Sequence, residues 1–394
     1  MIGNVPDGWK VKKLSECGKI ITGKTPSKTV KEYWNSNDIS FIKPDDFTKN
    51  TIIEFDKGKD FVSYKGFEKN PTIPPYSVLT TCIGNIGKVL INKNEATTNQ
   101  QINTIVPNKD INYKFLAYSI LKIKPIMLQR ANAPVVPMIN KTDFGKYQIP
   151  IPPLPQQEKI VKVLDISSAL IEKQKLLLQN YDLFLKSKFI EMFGNPIKNP
   201  MGWEVEKLGN ITKIQTGKTP SRKNFDYWNN GTVNWAKTTE VNQIILTDTE
   251  EQITDLAVKE CNMIFFPKNT ILIAMYGQGK TRGKVVLLGV PTTINQAFGA
   301  ILKNESFNTL FLLKLLDYLY ETIRDLGRGG NQENLNLDIV RGIKVILPPI
   351  TLQNKFASIV EKTEIIKTKE TKKLEHLQTL HKSLMDKAFK GEIG

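Results

Sequence analysis

The chain has 394 residues, 40% of them apolar, which is ample for two or three domains with real cores. Its 55 Lys and Arg against 39 Asp and Glu leave a net charge of +16, which suits a polyanionic partner better than a small metabolite, although a lysine-rich solvated surface has the same composition. Cys17, Cys82 and Cys261 are scattered, His376 and His381 are the only histidines, no apolar run approaches 18 residues and no N-terminal signal pattern is present; a zinc site, a disulfide framework and a membrane span are therefore not expected, and the expected location is the cytoplasm.

In chain order, the first segment runs from Pro6-Asp7-Gly8-Trp9 to Leu14 and is followed by a polar loop, Thr22-Gly23-Lys24-Thr25-Pro26-Ser27, and by Tyr33-Trp34-Asn35. The β-branched and aromatic run Ile39-Ser40-Phe41-Ile42 reads as a strand. A turn at Pro74-Pro75-Tyr76 leads into another strand over Ser77 to Thr81, and Gly84-Asn85-Ile86-Gly87-Lys88-Val89 reads as the loop between two strands. Phe115-Leu116 lies in a helical segment. The stop Ile151-Pro152-Pro153-Leu154-Pro155 precedes a stretch nearly free of Gly and Pro, from about Gln156 to Phe193, expected to form one helix roughly 55 Å long.

The second half repeats this order. Pro200-Met201-Gly202-Trp203 up to Leu208, Thr216-Gly217-Lys218-Thr219-Pro220-Ser221 and Tyr227-Trp228-Asn229 recur at one constant offset. After a small insertion, Gly283-Lys284-Val285 answers Gly87-Lys88-Val89 and Asn295-Gln296 answers Asn99-Gln100. Leu347-Pro348-Pro349-Ile350 opens a second Gly- and Pro-poor stretch, from about Leu352 to Phe389. In the first long helix Val163/Leu164, Leu170/Ile171, Leu177/Leu178 and Phe184/Leu185 repeat every seven residues, a stripe suited to supercoiled pairing. The second carries a leakier stripe, and each is the other's nearest partner. The expected pairing is antiparallel and uses Leu164, Ile171, Leu178 and Phe184 against Ile366, Leu374, Leu377 and Leu380.

The fold expected is α+β: two similar domains with small twisted antiparallel sheets, related by an internal pseudo-two-fold repeat and separated by two long helices in an antiparallel coiled coil. The boundaries are 1–152, 153–196, 197–347 and 348–394.

Several stretches suggest enzymes and fail on inspection. Gly277-Gln278-Gly279-Lys280-Thr281 follows an apolar run as a phosphate-binding loop would, but Ala274 stands where that loop needs glycine and the residues after Thr281 read as loop and short strand, with no helix to hold phosphate. The first copy has no Gly-Lys-Thr at the same place. Pro74-Pro75-Tyr76 lacks the preceding polar residue that an amino-methyltransferase uses to accept the target amine's hydrogen bonds, since Ile73 stands there. Asp45 and Asp46 lack the spaced acid and lysine of a nuclease and read as loop acids. Trp9, Trp203, Trp34 and Trp228 could stack on bases, but tryptophans in this setting are more often core. Thr25 and Thr219 suit a phosphate contact or a Thr-Pro turn equally well.

The ordered set of motifs, present twice, resembles the specificity subunit of type I restriction-modification systems over essentially the whole chain. It departs from that pattern at Asn354, where the first copy has Glu158. The resemblance implies two target-recognition domains that each read half of a split double-stranded DNA sequence, with the helices fixing the gap. It also implies that two methylation subunits dock on the chain and that restriction subunits join them. S-adenosylmethionine and ATP would be bound by those partner subunits, leaving this chain without cofactor, metal or catalytic residue. The rival reading is a sequence-specific DNA-binding regulator or adaptor that works without such partners.

Two domains reading different half-sites cannot do so with identical residues, so shared positions are expected to frame and divergent ones to read. Thr25/Thr219, Ser27/Ser221, Lys88/Lys284 and Asn99/Asn295 then hold the fold, phosphates or partner subunits. Lys28, Lys43, Asn85 and Arg130 in the first half, and Arg222, Lys237, Gln278, Lys280, Arg282, Arg328 and Gln332 in the second, are the candidates for base edges. Within the loop Gly277-Gln278-Gly279-Lys280-Thr281-Arg282, expected to enter a DNA groove over the second half-site, Gln278 and Arg282 are expected nearest the bases, with Lys280 on phosphate.

Overall fold

The computed structural model describes residues 5–34, 36–48, 51–68, 70–131, 137–277, 279–327 and 334–393. By its internal contacts the chain forms two units, Met1–Leu176 with Lys372–Gly394, and Leu177–Thr371. Two helices of 40 residues each, Leu154–Phe193 and Ile350–Phe389, are shared out, so that each unit holds one globular part and a stretch of both helices. Among the described residues no helix is long and apolar enough to cross a membrane.

Each globular part carries three sheets of matching topology. In the first, a five-stranded sheet runs Gly18–Thr22, Ile102–Pro107, Val78–Thr81, Val89–Asn92, Ile53–Phe55; in the second the order is Ile214–Thr216, Phe298–Ile301, Ile271–Ala274, Val285–Leu288, Ile245–Leu246. A three-stranded sheet places Ile39–Ile42 between Phe61–Val62 and Ala96–Thr98, as Val233–Ala236 lies between Glu251–Ile253 and Thr293–Ile294. A two-stranded ribbon closes each part, Lys10–Lys13 with Gln148–Ile151 and Val205–Lys207 with Lys344–Ile346. The sheets are mixed, where the sequence suggested antiparallel: Ile53–Phe55 lies parallel to Val89–Asn92 and Ile39–Ile42 parallel to Ala96–Thr98, with the same pairings in the second copy. Long connections that pass through the other sheet make parallel pairing possible here.

The central strands are buried along nearly their whole length because both faces are covered, and they are mostly apolar, with Thr80, Thr81 and Asn92 the buried polar exceptions in Val78–Thr81 and Val89–Asn92. Val78, Val89 and Ile91 point into a core with Phe115, Leu116 and Ile120 of the helix Tyr113–Arg130, while the alternate residues Leu79 and Leu90 meet Ile42, Phe47 and Ile73 on the other face. The second copy divides likewise, Ile271 and Ile273 under Phe311 and Leu315, Leu272 and Ala274 against Phe266 and Phe298.

Helix packing is antiparallel within each unit. In the first, Ile160, Val161 and Leu164 share a core with Ala388, the Phe389 ring lies 5.5 Å from Phe115, and Ser167 Oγ is 2.7 Å from His381 Nδ1. In the second, Asp182 pairs with Lys367, and Phe189, farther along its helix, packs 5.5 Å from Phe356, earlier along the other. Phe189 and Phe193 also meet Phe311 at 5.8 and 4.8 Å.

The heptad doublets resolve unequally. Leu164 and Ile171 are buried and Leu178, Leu374 and Leu377 half-buried, but Phe184, Ile366 and Leu380 are 44, 42 and 51% exposed. Neighbouring helical residues are about 100° apart, so only one member of a doublet can face inward. That member is Leu185, and the polar Ser167, Gln174 and Thr363 take further inward places.

Phe189→Ala is therefore expected to destabilise the chain by about 3–5 kcal/mol, whereas Phe184→Ala should change stability by about 1 kcal/mol or less. Chemical unfolding of both variants checks this; equal losses would show that the wrong face has been assigned to the core.

Candidate nucleic-acid interface

The repeated motifs converge on one constellation in each unit. Gly23 leaves its strand so close to the next segment that a Cβ would lie 2.2 Å from the Thr98 carbonyl oxygen, and at Gly217 1.9 Å from that of Ile294. Only glycine fits such an approach. The loop then turns back, with the Lys24 and Lys218 N–H groups donating to Thr98 O and Ile294 O, both at 3.0 Å.

Thr25 Oγ1 donates to Gln100 Oε1 at 2.7 Å, and Thr219 Oγ1 likewise to Gln296. The indole N–H of Trp34 donates to Ser27 O and that of Trp228 to Ser221 O, each at 3.1 Å. Both indoles also pack edge-on at 5.1 Å, Trp34 on Phe41 and Trp228 on Trp235. The Thr-Gly-Lys-Thr-Pro-Ser loop, the Trp and the Asn-Gln pair are thus parts of one stitch, and Thr25, Thr219 and the two tryptophans make structural contacts in it. Asn99 and Asn295 close turns by accepting from the N–H groups of Gln101 and Ala297 at 3.1 Å.

Lys43 and Lys237 occupy equivalent places. Each caps a short turn whose acid accepts its backbone N–H, Asp46 at 2.9 Å and Glu240 at 2.8 Å, and burial pushes both carboxyls above their usual range. Each Nζ reaches an acid at the start of the neighbouring strand, Asp60, just before Phe61–Val62, at 2.5 Å and Glu251 at 2.7 Å. Those acids match by register, since Phe41 N–H donates to Asp60 O and Trp235 pairs with Glu251. Arg222 pairs with Glu251 as well, and its hydrogen bond holds the Glu251 carboxyl below the ordinary range. The guanidinium lies 3.6 Å from the Trp228 ring centroid.

Lys88 and Lys284 anchor the turns between the central strands. Lys88 Nζ donates to Phe47 O at 2.7 Å and Lys284 Nζ to Asn242 Oδ1 at 3.1 Å. Lys28, Asn85, Arg130 and Lys280 are exposed, Arg130 at 5.7 Å from the Tyr147 ring. Gln278, Arg328 and Gln332 lie outside the described residues.

After Thr281, where a phosphate-binding loop would open a helix, the chain leads into the strand Val285–Leu288 instead, which removes the geometry such a loop requires. The basic residues of the turn after Ile271–Ala274 do not act alike. Arg282, expected nearest the bases, is only 5% exposed, and its side chain is part of the turn's interior. The turn rests on the helix Tyr320–Leu326, from which Tyr320 Oη donates to Lys280 O and Arg324 Nη2 to Gly279 O, both at 2.7 Å. Tyr320, Arg324, Asp60 and Glu251 were not singled out in the sequence. The two acids could have been found by aligning the copies strand by strand, which unequal spacing conceals.

Comparison with known proteins bears on what this duplicated frame belongs to. A family model of the type I restriction modification DNA specificity domain matches twice, over residues 6–179 and 200–378. The chain belongs to this family. It is 26% identical to the type I restriction enzyme MjaIX specificity subunit of Methanocaldococcus jannaschii, with 100% of this chain and 95% of the relative covered. It is 31% identical to the HindI specificity subunit of Haemophilus influenzae, over 46% of this chain and 41% of that one. A crystal structure of the S subunit of a type I restriction-modification system from M. genitalium has the same fold, with a TM-score of 0.59 at 15% identity over 98% of this chain and 97% of that one. A chain solved in work on complex assembly and conformational transition of the type I R-M system aligns equally well, with a TM-score of 0.59 at 16% identity over 99% of this chain and 100% of that one.

Arg282→Ala should lower unfolding stability by roughly 1–3 kcal/mol, because a buried polar group is removed from its surroundings, while Lys280→Ala should stay within about 0.5 kcal/mol of the parent. Thermal melts of the two variants separate an interior arginine from a presented one.

Proposed function

We propose that the chain is the DNA-reading component of a type I restriction-modification complex, with each globular part reading one half of a bipartite double-stranded target. The observation that carries this reading is the duplicated frame holding different side chains: Thr25–Gln100 and Lys43–Asp60 recur as Thr219–Gln296 and Lys237–Glu251, while Lys28 is replaced by Arg222. A common frame with divergent presented residues suits two related readers of two different sequences. The net charge of +16 supports a phosphate-rich ligand.

In this reading the two long helices are the spacer that sets the gap between half-sites. Two methylation subunits dock on the chain and restriction subunits join them, with S-adenosylmethionine and ATP bound by those partners. The chain contributes affinity and specificity and performs no bond-making step.

Reconstitution with its methylation subunits, followed by sequencing of methylated DNA, tests the proposal. A split motif is expected, and exchanging residues 197–347 for those of a relative should change one half of it only. A continuous motif, a change in both halves, or methyl transfer by the isolated chain would overturn the reading.

A further inference from the structure

Resting on the DNA-specificity reading above, we propose that Arg222 reads a guanine in the half-site of the second domain, presented by a platform of Trp228, Glu251 and Lys237. The guanidinium is held from below by the Trp228 ring at 3.6 Å, with Trp235 at 5.1 Å, and from one edge by Glu251. Glu251 is itself held by Lys237 Nζ at 2.7 Å. The arginine side chain is nonetheless 53% exposed.

Those facts combine in one direction. A guanidinium has five N–H donors in a planar fork, and the pair with Glu251 occupies one edge, so donors remain for an outside acceptor. Guanine offers two such acceptors, N7 and O6, at the spacing that fork matches. Stacking on Trp228 and pairing with Glu251 restrict the rotamers before any ligand arrives, which lowers the ordering cost of binding.

Comparison of the two copies separates the reader from its frame. The first copy keeps the tryptophan, with Trp34 donating to Ser27 O at 3.1 Å, and the lysine–acid pair, Lys43 with Asp60 at 2.5 Å. What changes is the loop position six residues before that tryptophan, Lys28 in the first copy and Arg222 in the second, and with it the support, Phe41 and Asp60 giving way to Trp235 and Glu251. Lysine supplies a point charge and no planar fork. Lys43 and Lys237, equivalent and each held by an acid, are frame residues, and the specificity difference falls on 28 and 222. Glu251 and Trp228 act through Arg222 and are positioning residues.

The test uses the complex with its methylation subunits, measuring binding to duplexes that carry every base at each position of the recognised sequence. For Arg222→Ala, discrimination at one G·C position in one half-site should fall roughly 5- to 150-fold, with the other positions keeping theirs. Arg222→Lys, which retains the charge, should lose the same discrimination while holding overall affinity closer to the parent. Glu251→Gln should produce a smaller loss at that same position, a readout that a merely structural role would not confine to one base pair.

Parent-like discrimination in Arg222→Ala, uniform weakening at all positions, or a change in both half-sites would overturn the assignment. Arg222→Lys guards against misfolding: were it as stable as the parent by thermal melt and equally discriminating, arginine would not be the reader. Absence of any sequence preference in the parent complex would instead overturn the DNA-specificity reading itself, and this assignment with it.

Discussion

The close approach of Gly23 to Thr98, and of Gly217 to Ile294, is the constraint on which each globular part depends. A backbone carbonyl fills the space that any side chain would need, so the loop after the first sheet strand lies directly against the strand of the smaller sheet. Once there, the loop's Thr meets the Gln of the Asn-Gln pair and its Ser carbonyl meets the Trp indole. A stitch of this kind joins the two sheets at one point, and the lysine–acid pairs Lys43–Asp60 and Lys237–Glu251 extend it across the smaller sheet.

Individually these ion pairs add little to stability, since exposed pairs contribute about 0–1 kcal/mol. Their effect is positional: a carboxylate held between two cations cannot swing away, and an arginine resting on an indole face keeps its plane. The bulk of the stability comes from cores that cover both faces of each five-stranded sheet and from aromatic packing such as Phe189 and Phe193 against Phe311 and Phe356. Division of labour follows, with apolar burial holding the scaffold and a polar stitch aiming the loops.

The relation between the copies turns this physics toward function. Gly, Thr, Trp and the Asn-Gln pair are needed wherever the stitch is made, so they recur, whereas a side chain held on the stitch and facing solvent can vary without loss of fold. Lys28 and Arg222 are such a pair, while Asn85 and Lys280 are exposed positions in the turns between the central strands.

Repetition in the sequence was enough to determine the duplicated architecture, the α+β class, the two long helices and the family resemblance, because periodicity, Pro-rich stops and recurring motifs are local signals that survive in one dimension. Glycine and tryptophan positions in the stitch were also legible, although not their contacts. Tertiary structure alone decided which member of each heptad doublet turns inward, since Phe184 and Leu185 are equally apolar and only the partner surface chooses between them. It alone decided that Arg282, basic and glycine-flanked, goes to the interior while Lys280 stays outside. It alone brought Glu251 to the edge of the Arg222 guanidinium, because strand register, not chain distance, places Glu251 opposite Trp235.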